Sequence, residues 1–260
     1  MVENSQRLTD GLLFQFILRS LNYYLERDDN LKLKYYGLVI KPLYFLQLTM
    51  QEPSKNLTGA ELSGMDMSGE DLKNADLSGA NISNSNLSNA NLFGVNLTGA
   101  NLDSLDLSGA NLSSANVSSA NLNSLNLKGC NLSNSNVSGT TINQADLSDT
   151  NLTNANVSGA NLNNIDLRNS NLSNADVSGA SLEGIDFSNA DLSNVKFMSA
   201  NLSNSNLKST NLHSADLRDT KLIQIDLSEA NVESAQFGRN EGLSEQAKQD
   251  LIQRGAIFED

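Results

Sequence analysis

At 260 residues the chain has the length of one or two globular domains, yet aromatic residues make up only 5% of it and tryptophan is absent. A formal net charge of −13 disfavours direct contact with nucleic acid or an anionic membrane and favours basic partners. The single cysteine, Cys130, excludes an intramolecular disulfide.

Residues 1–53 read as a small helical domain. Thr9 or Asp10 caps a helix running to about Arg27, with Leu13, Phe14, Ile17, Leu18, Leu21 and Leu25 on one broad apolar face. Leu31 to Tyr36 forms a short second helix, and Pro42 opens a third that Pro53 ends. Gln15, Arg19, Asn22 and Lys41 interrupt the apolar runs, so no stretch reaches the roughly 18 apolar residues of a membrane span. Glu3 and Asp10, with no small-residue cleavage site, argue against a signal peptide, and a cytoplasmic location is expected. The helices are expected to cap the segment that begins after Pro53. Because about 50 residues exceed what a cap needs, the tyrosine pairs Tyr23, Tyr24, Tyr35 and Tyr36 are a candidate docking surface for a protein partner or a membrane surface.

Residues 54–237 repeat one five-residue pattern without a break: a small residue, Asn or Asp, Leu, Ser or Thr, then Gly, Asn or Ser. The central apolar position recurs every fifth residue from Leu57 to Phe237. A period of five fits neither helix nor strand, so the chain must coil to keep the central residue and the residue two before it inside. A slower beat of twenty sets the coil size. Met65, Leu105, Leu125, Ile165, Ile185 and Ile225 are the bulky residues at the position two before the centre, all separated by multiples of twenty. Four pentapeptides therefore make one four-sided coil, and about nine coils stack into a rod roughly 45 Å long. The side with bulky inward residues is expected to distort the cross-section, and no internal cavity able to hold a ligand is expected. Corners fall at flexible residues such as Gly79 and Gly139, and proline is absent from the repeats because backbone donors are needed between coils.

This run resembles the pentapeptide-repeat family, whose pattern is A-(D/N)-L-x-x and whose fold is a right-handed quadrilateral β-helix, an all-β solenoid. The resemblance implies that fold and no single function. Some members, the fluoroquinolone-resistance proteins, act on DNA gyrase by imitating DNA, but those tend to carry central phenylalanines, interrupting loops and dimerising ends. Residues 238–260 read as a C-terminal capping helix and tail: Ser244 caps it, Ala247, Leu251 and Ile252 form its buried face, Gly255 ends it, and Ile257 and Phe258 tuck against the open coil. The wording of this tail is similar to that of cyanobacterial members and points to a cyanobacterial source.

Two outward columns stand out. Asn91, Asn111, Asn131, Asn151 and Asn171 line one side as an amide ladder. On the side with bulky inward residues the same position reads Asp66, Asp106, Asp146, Asp166, Asp186 and Asp226, a candidate acidic interaction face. The one histidine, His213, points outward with no triad around it, and no catalytic, metal or cofactor residues are assigned. The resulting expectation is a non-enzymatic interaction scaffold or regulator, monomeric or weakly dimeric, with an unidentified protein partner and no direct nucleic-acid binding. A DNA-mimicking inhibitor of gyrase or another DNA-binding protein is the alternative, followed by a membrane-associated structural protein anchored by the N-terminal helices.

Overall fold

The structure, a computed structural model, describes residues 56–259. The expected N-terminal helices and the four tyrosines lie outside these residues. Contacts divide the chain into Met1–Leu57 and Thr58–Asp260.

Each pentapeptide supplies one extended residue and one corner. The Asn or Asp before the centre forms a parallel bridge with the residue twenty positions on, as in the series Asn91, Asn111, Asn131, Asn151 and Asn171. That register confirms four pentapeptides per coil. The leucine N–H donates to the next coil (Leu92 to Asn111 O, 2.8 Å), and the next coil's N–H returns (Asn111 to Ala90 O, 2.9 Å). A β-turn then closes nearly every corner, as when the Ala75 N–H donates to Leu72 O at 3.0 Å; the corner at Asn143–Gln144 is a bend without that bond. The turn's third residue takes positive φ, 56° at Asn74 and 64° at Gly79, which explains the Gly, Asn, Ser and Asp at that position. Gln144, Gln224 and Glu229 hold the same conformation without that advantage.

We number the sides by their central residues. Side one runs through Leu57 to Phe237, side two through Leu62 to Leu222, side three through Met67 to Leu227, and side four through Leu72 to Val232. Nearly all central residues are buried, along with the small residues two before them. Burying each leucine is worth about 1.5 to 3 kcal/mol. Where Ser or Thr replaces the inward Ala, its hydroxyl donates to a nearby carbonyl, as Thr150 does to Leu147 O at 2.8 Å. Cys130 behaves likewise: its thiol contacts Leu107 O at 2.7 Å, and burial pushes its pKa up to about 12. A narrow axial void of about 20 Å³ is lined only by central Leu, Val and Ile side chains. It has room for about one water and offers that water no polar partner.

On side three the expected distortion by bulky inward residues shows at some rungs and not at others. Its inward Leu105, Leu125, Ile165 and Ile185 are buried. Two of the return bonds that follow them are long, 3.3 Å from Asp146 to Leu125 O and 3.3 Å from Asp186 to Ile165 O, whereas Asn206 to Ile185 O stays at 2.8 Å. Side four, with alanine inside, keeps 2.9 Å from Asn111 to Ala90 O.

The last coil ends in strand β1 (Gln236–Phe237), followed by helix α1 (Glu245–Gln253) and strand β2 (Ile257–Phe258). The Ser244 hydroxyl caps α1 by accepting from the Ala247 N–H at 3.2 Å. Strand β2 pairs in parallel with β1, and Phe258 stacks on Phe237 at 5.1 Å between ring centroids. Arg254 ties the lid down by donating to the carbonyls of Leu227 and Ala230. Two sequence expectations need correction. Ile252 is 45% exposed and Ile257 47% exposed. The nine-residue helix can turn only a narrow stripe inward, which Leu251 occupies, and Ile257 alternates with Phe258 along a strand and so faces out.

Candidate interaction face

The six aspartates named from the sequence stand in one column of side three. Bridges connect Asp66, Asn86, Asp106, Asn126, Asp146, Asp166, Asp186, Asn206 and Asp226 in unbroken succession. Local chemistry explains why Asn and Asp share this position. Each Oδ1 accepts the N–H two residues on, at 3.0 Å from Ser108 to Asp106, 2.9 Å from Ser148 to Asp146 and 3.0 Å from Ser88 to Asn86. The corner needs one side-chain oxygen at that place. Asp satisfies this as Asn does and adds a second oxygen and a charge.

The like charges of successive coils are partly relieved. Asn86 donates its amide to Asp66 at 3.1 Å, and Asn206 donates to Asp186 at 3.0 Å. In the consecutive run of Asp146, Asp166 and Asp186, the Arg168 guanidinium grips Asp166 with contacts of 2.6 to 3.0 Å. Sequence reasoning missed this basic partner and its column. Lys128, Arg168 and Lys208 occupy the position after the centre on side three, spaced by forty residues, and that spacing was available as a signal. Lys128 lies 3.8 Å from Asp149, and Lys208 lies 3.3 Å from Glu229. Both pairs are half exposed, so water and salt screen them and neither holds the fold together. Counting corners, side three sets Asp66, Asp106, Asp146, Asp149, Asp166, Asp186, Asp226 and Glu229 against those three cations, leaving it acidic but not uniformly so.

Several carboxyls are held below their ordinary range. The Ser68 hydroxyl and N–H lower Asp66, Arg168 lowers Asp166, Ser228 lowers Asp226 and, on side one, Arg218 lowers Asp216. A carboxyl depressed in the folded state contributes stability above its unfolded pKa and loses it as pH falls through the folded value. Since the ordinary value is 3.8, the urea midpoint will be flat from about pH 5 to pH 8 and decline below about pH 4. A midpoint that rises on acidification would contradict these assignments.

The remaining candidates are isolated. His213 Nδ1 lies 3.8 Å from Glu233 Oε2 on the open surface of side four. The asparagine column on the same side forms the expected ladder in part, with 3.2 Å from Asn111 to Asn91 and 3.3 Å from Asn131 to Asn111. Among the described residues no group of three or more His, Cys, Asp or Glu is placed to hold a metal, and no helix is long and apolar enough to cross a membrane.

Comparison with known proteins places this architecture among repeat proteins. A family model described as pentapeptide repeat region matches residues 106–177 and 178–244, and one described as pentapeptide repeats matches residues 56–94. HetL, a pentapeptide repeat protein involved in heterocyst differentiation regulation in the cyanobacterium Nostoc sp. strain PCC 7120, is 29% identical. Its match covers 69% of this chain and 88% of HetL with a TM-score of 0.44. A pentapeptide repeat protein of the Arabidopsis thaliana thylakoid lumen is 33% identical over 41% of this chain and 71% of its own, with a TM-score of 0.31. QnrB1, a plasmid-mediated fluoroquinolone resistance protein, is 15% identical over 78% of this chain and 91% of its own, with a TM-score of 0.30. No curated protein matches the chain.

Proposed function

Since this chain belongs to the pentapeptide-repeat family, we propose that it works as a non-enzymatic scaffold that binds a basic protein surface along side three of a right-handed quadrilateral β-helix. The observation that carries this reading is the in-register column from Asp66 to Asp226, where charge is present although the corner chemistry is met equally by Asn. Flat, convex sides favour contact with another macromolecule over enclosure of a small substrate. The tyrosine pairs at 23–24 and 35–36 supply a second contact in this proposal, on the strength of composition alone.

Imitation of DNA is the weaker reading. Duplex DNA presents a negative charge about every 1.7 Å, so a rod of roughly 45 Å would have to imitate about 26 phosphates. Side three has far fewer carboxylates and interleaves Lys128, Arg168 and Lys208 among them. A protein partner with sparse, spaced cations suits that pattern better.

The test replaces Asp106, Asp146, Asp186 and Asp226 with Asn and spares Asp166, whose loss would also free Arg168. Because Asn keeps the corner bond, the circular-dichroism spectrum is expected to stay unchanged. Quantitative pull-downs with the intact and neutralised chains will show basic partners weakened by about tenfold or more, and the intact complex will weaken with salt. Equal, salt-insensitive capture by both baits would sink the proposal.

A further inference from the structure

Among the described residues from Glu61 to Glu241, residues at the bridging position pair with the residue twenty on, with one exception: Asn101 and Asn121 form no bridge. The neighbouring rungs of side two are intact. Ile82 donates to Asn101 O at 3.0 Å, Leu122 donates to Thr141 O at 2.8 Å, and Thr141 donates to Ala120 O at 3.2 Å. Across the gap the equivalent N–H groups of Leu102, Ser104 and Asn121 find no backbone acceptor in the facing coil. The other three sides remain joined between the same two coils, through Asn96 and Asn116, Asp106 and Asn126, and Asn111 and Asn131.

The inward column explains the place. Leu105 and Leu125 are successive bulky residues just past the corner from side two to side three, and both are buried. Two leucines stacked here, with no Ser or Ala between them as at Ser85, Ala145 and Ser205, wedge the coils apart. The Leu125 turn bond to Leu122 O is stretched to 3.5 Å. The other stacked pair, Ile165 and Ile185, does not open side two, because Asn163 Oδ1 clips the next coil by accepting from the Glu183 N–H at 2.9 Å. Asn123 clips Asn143 in the same way at 2.7 Å, whereas the Asn123 N–H itself turns back to Asn121 Oδ1 at 3.1 Å, leaving Asp103 without a clip.

We propose that this seam is a hinge: the rod bends by opening side two between Ala100–Ser104 and Ala120–Ser124, with the other three sides as the flexure. A rod that bends at one point can fit a curved partner surface while each segment stays rigid.

Amide hydrogen exchange on the full chain, read by nuclear magnetic resonance, tests it. Leu102, Ser104 and Asn121 are expected to exchange at least about tenfold faster than Leu122, Ser124 and Thr141, which hold the same positions one coil on. Equal protection within these pairs overturns the hinge. A Leu125→Ser variant probes the cause, because Ser85 and Ser205 in the same column donate to Leu62 O and Leu182 O at 2.8 and 2.7 Å, and a serine at position 125 would reach Leu102 O in that way. It is expected to slow the three amides to the level of their neighbours. Unchanged fast exchange in a variant that keeps its circular-dichroism spectrum rules out the leucine wedge, and if the variant does not fold, the comparison in the unaltered chain decides alone.

Discussion

Truncation after Arg239 will convert the rod into a self-associating species, seen as a concentration-dependent rise in mass by light scattering. The lid formed by α1 and β2 covers the last coil through the Phe237–Phe258 stack, the β1–β2 pairing and the Arg254 contacts to Leu227 and Ala230. Removing it uncovers Phe237, which is 0% exposed, and leaves the final rung's backbone groups unpaired. An open apolar end with a free strand edge is a template for another chain. A milder form of the same experiment is Gly238→Ala, whose added methyl would collide with the Glu259 carbonyl and push β2 off its seat. Ile252→Asp is the control, since that side chain already faces water. If the truncated chain keeps the mass of the intact one at all concentrations, the lid is not what protects the rod's end.

Phe197→Ala will give one of the largest losses of stability from a single side chain, alongside the equally buried Phe187 and Phe237. Phe197 is 0% exposed and belongs to the side-one column between Val177 and Leu217, whose coils are joined to its own through Asp176, Lys196 and Asp216. Truncation removes the burial of a phenylalanine and leaves a hole that the bridged coils cannot close, a cost of about 3–5 kcal/mol. In a solenoid each coil rests on its neighbours, so the urea transition will also broaden as the two ends uncouple. Phe93→Ala is the comparison: Phe93 is 37% exposed on side four, under the Lys73 ammonium at 5.1 Å, and its loss will change stability by about 0.5 kcal/mol or less. Equal effects of the two substitutions would mean that the inward column contributes less than its burial implies.

Most of the rod was legible in the sequence because its rules are local and repeated. A period of five dictates a turn after every central leucine, and the beat of twenty in Leu105, Leu125, Ile165 and Ile185 counts the sides without reference to any contact. The position of the acidic column followed from the same count. Apart from the forty-residue spacing of Lys128, Arg168 and Lys208, which was overlooked, what remained hidden was non-periodic. The exposure of Ile252 and Ile257 depends on how a single helix and a two-residue strand sit on the last coil, and no repeat reports that.

The same division runs through the candidate site. By itself the sequence determined the number of sides, which residues face inward, and the alignment of Asp66 through Asp226, since each follows from spacing along a regular coil. Only the tertiary structure decided that Arg168 neutralises Asp166, that Asp and Asn do identical work at the corners, and that Asn101 and Asn121 fail to bridge. The physical reason is range: periodicity specifies direction relative to the axis, whereas ion pairing and rung closure depend on ångström-scale fit between residues twenty apart, where one stacked pair of leucines is enough to open a gap.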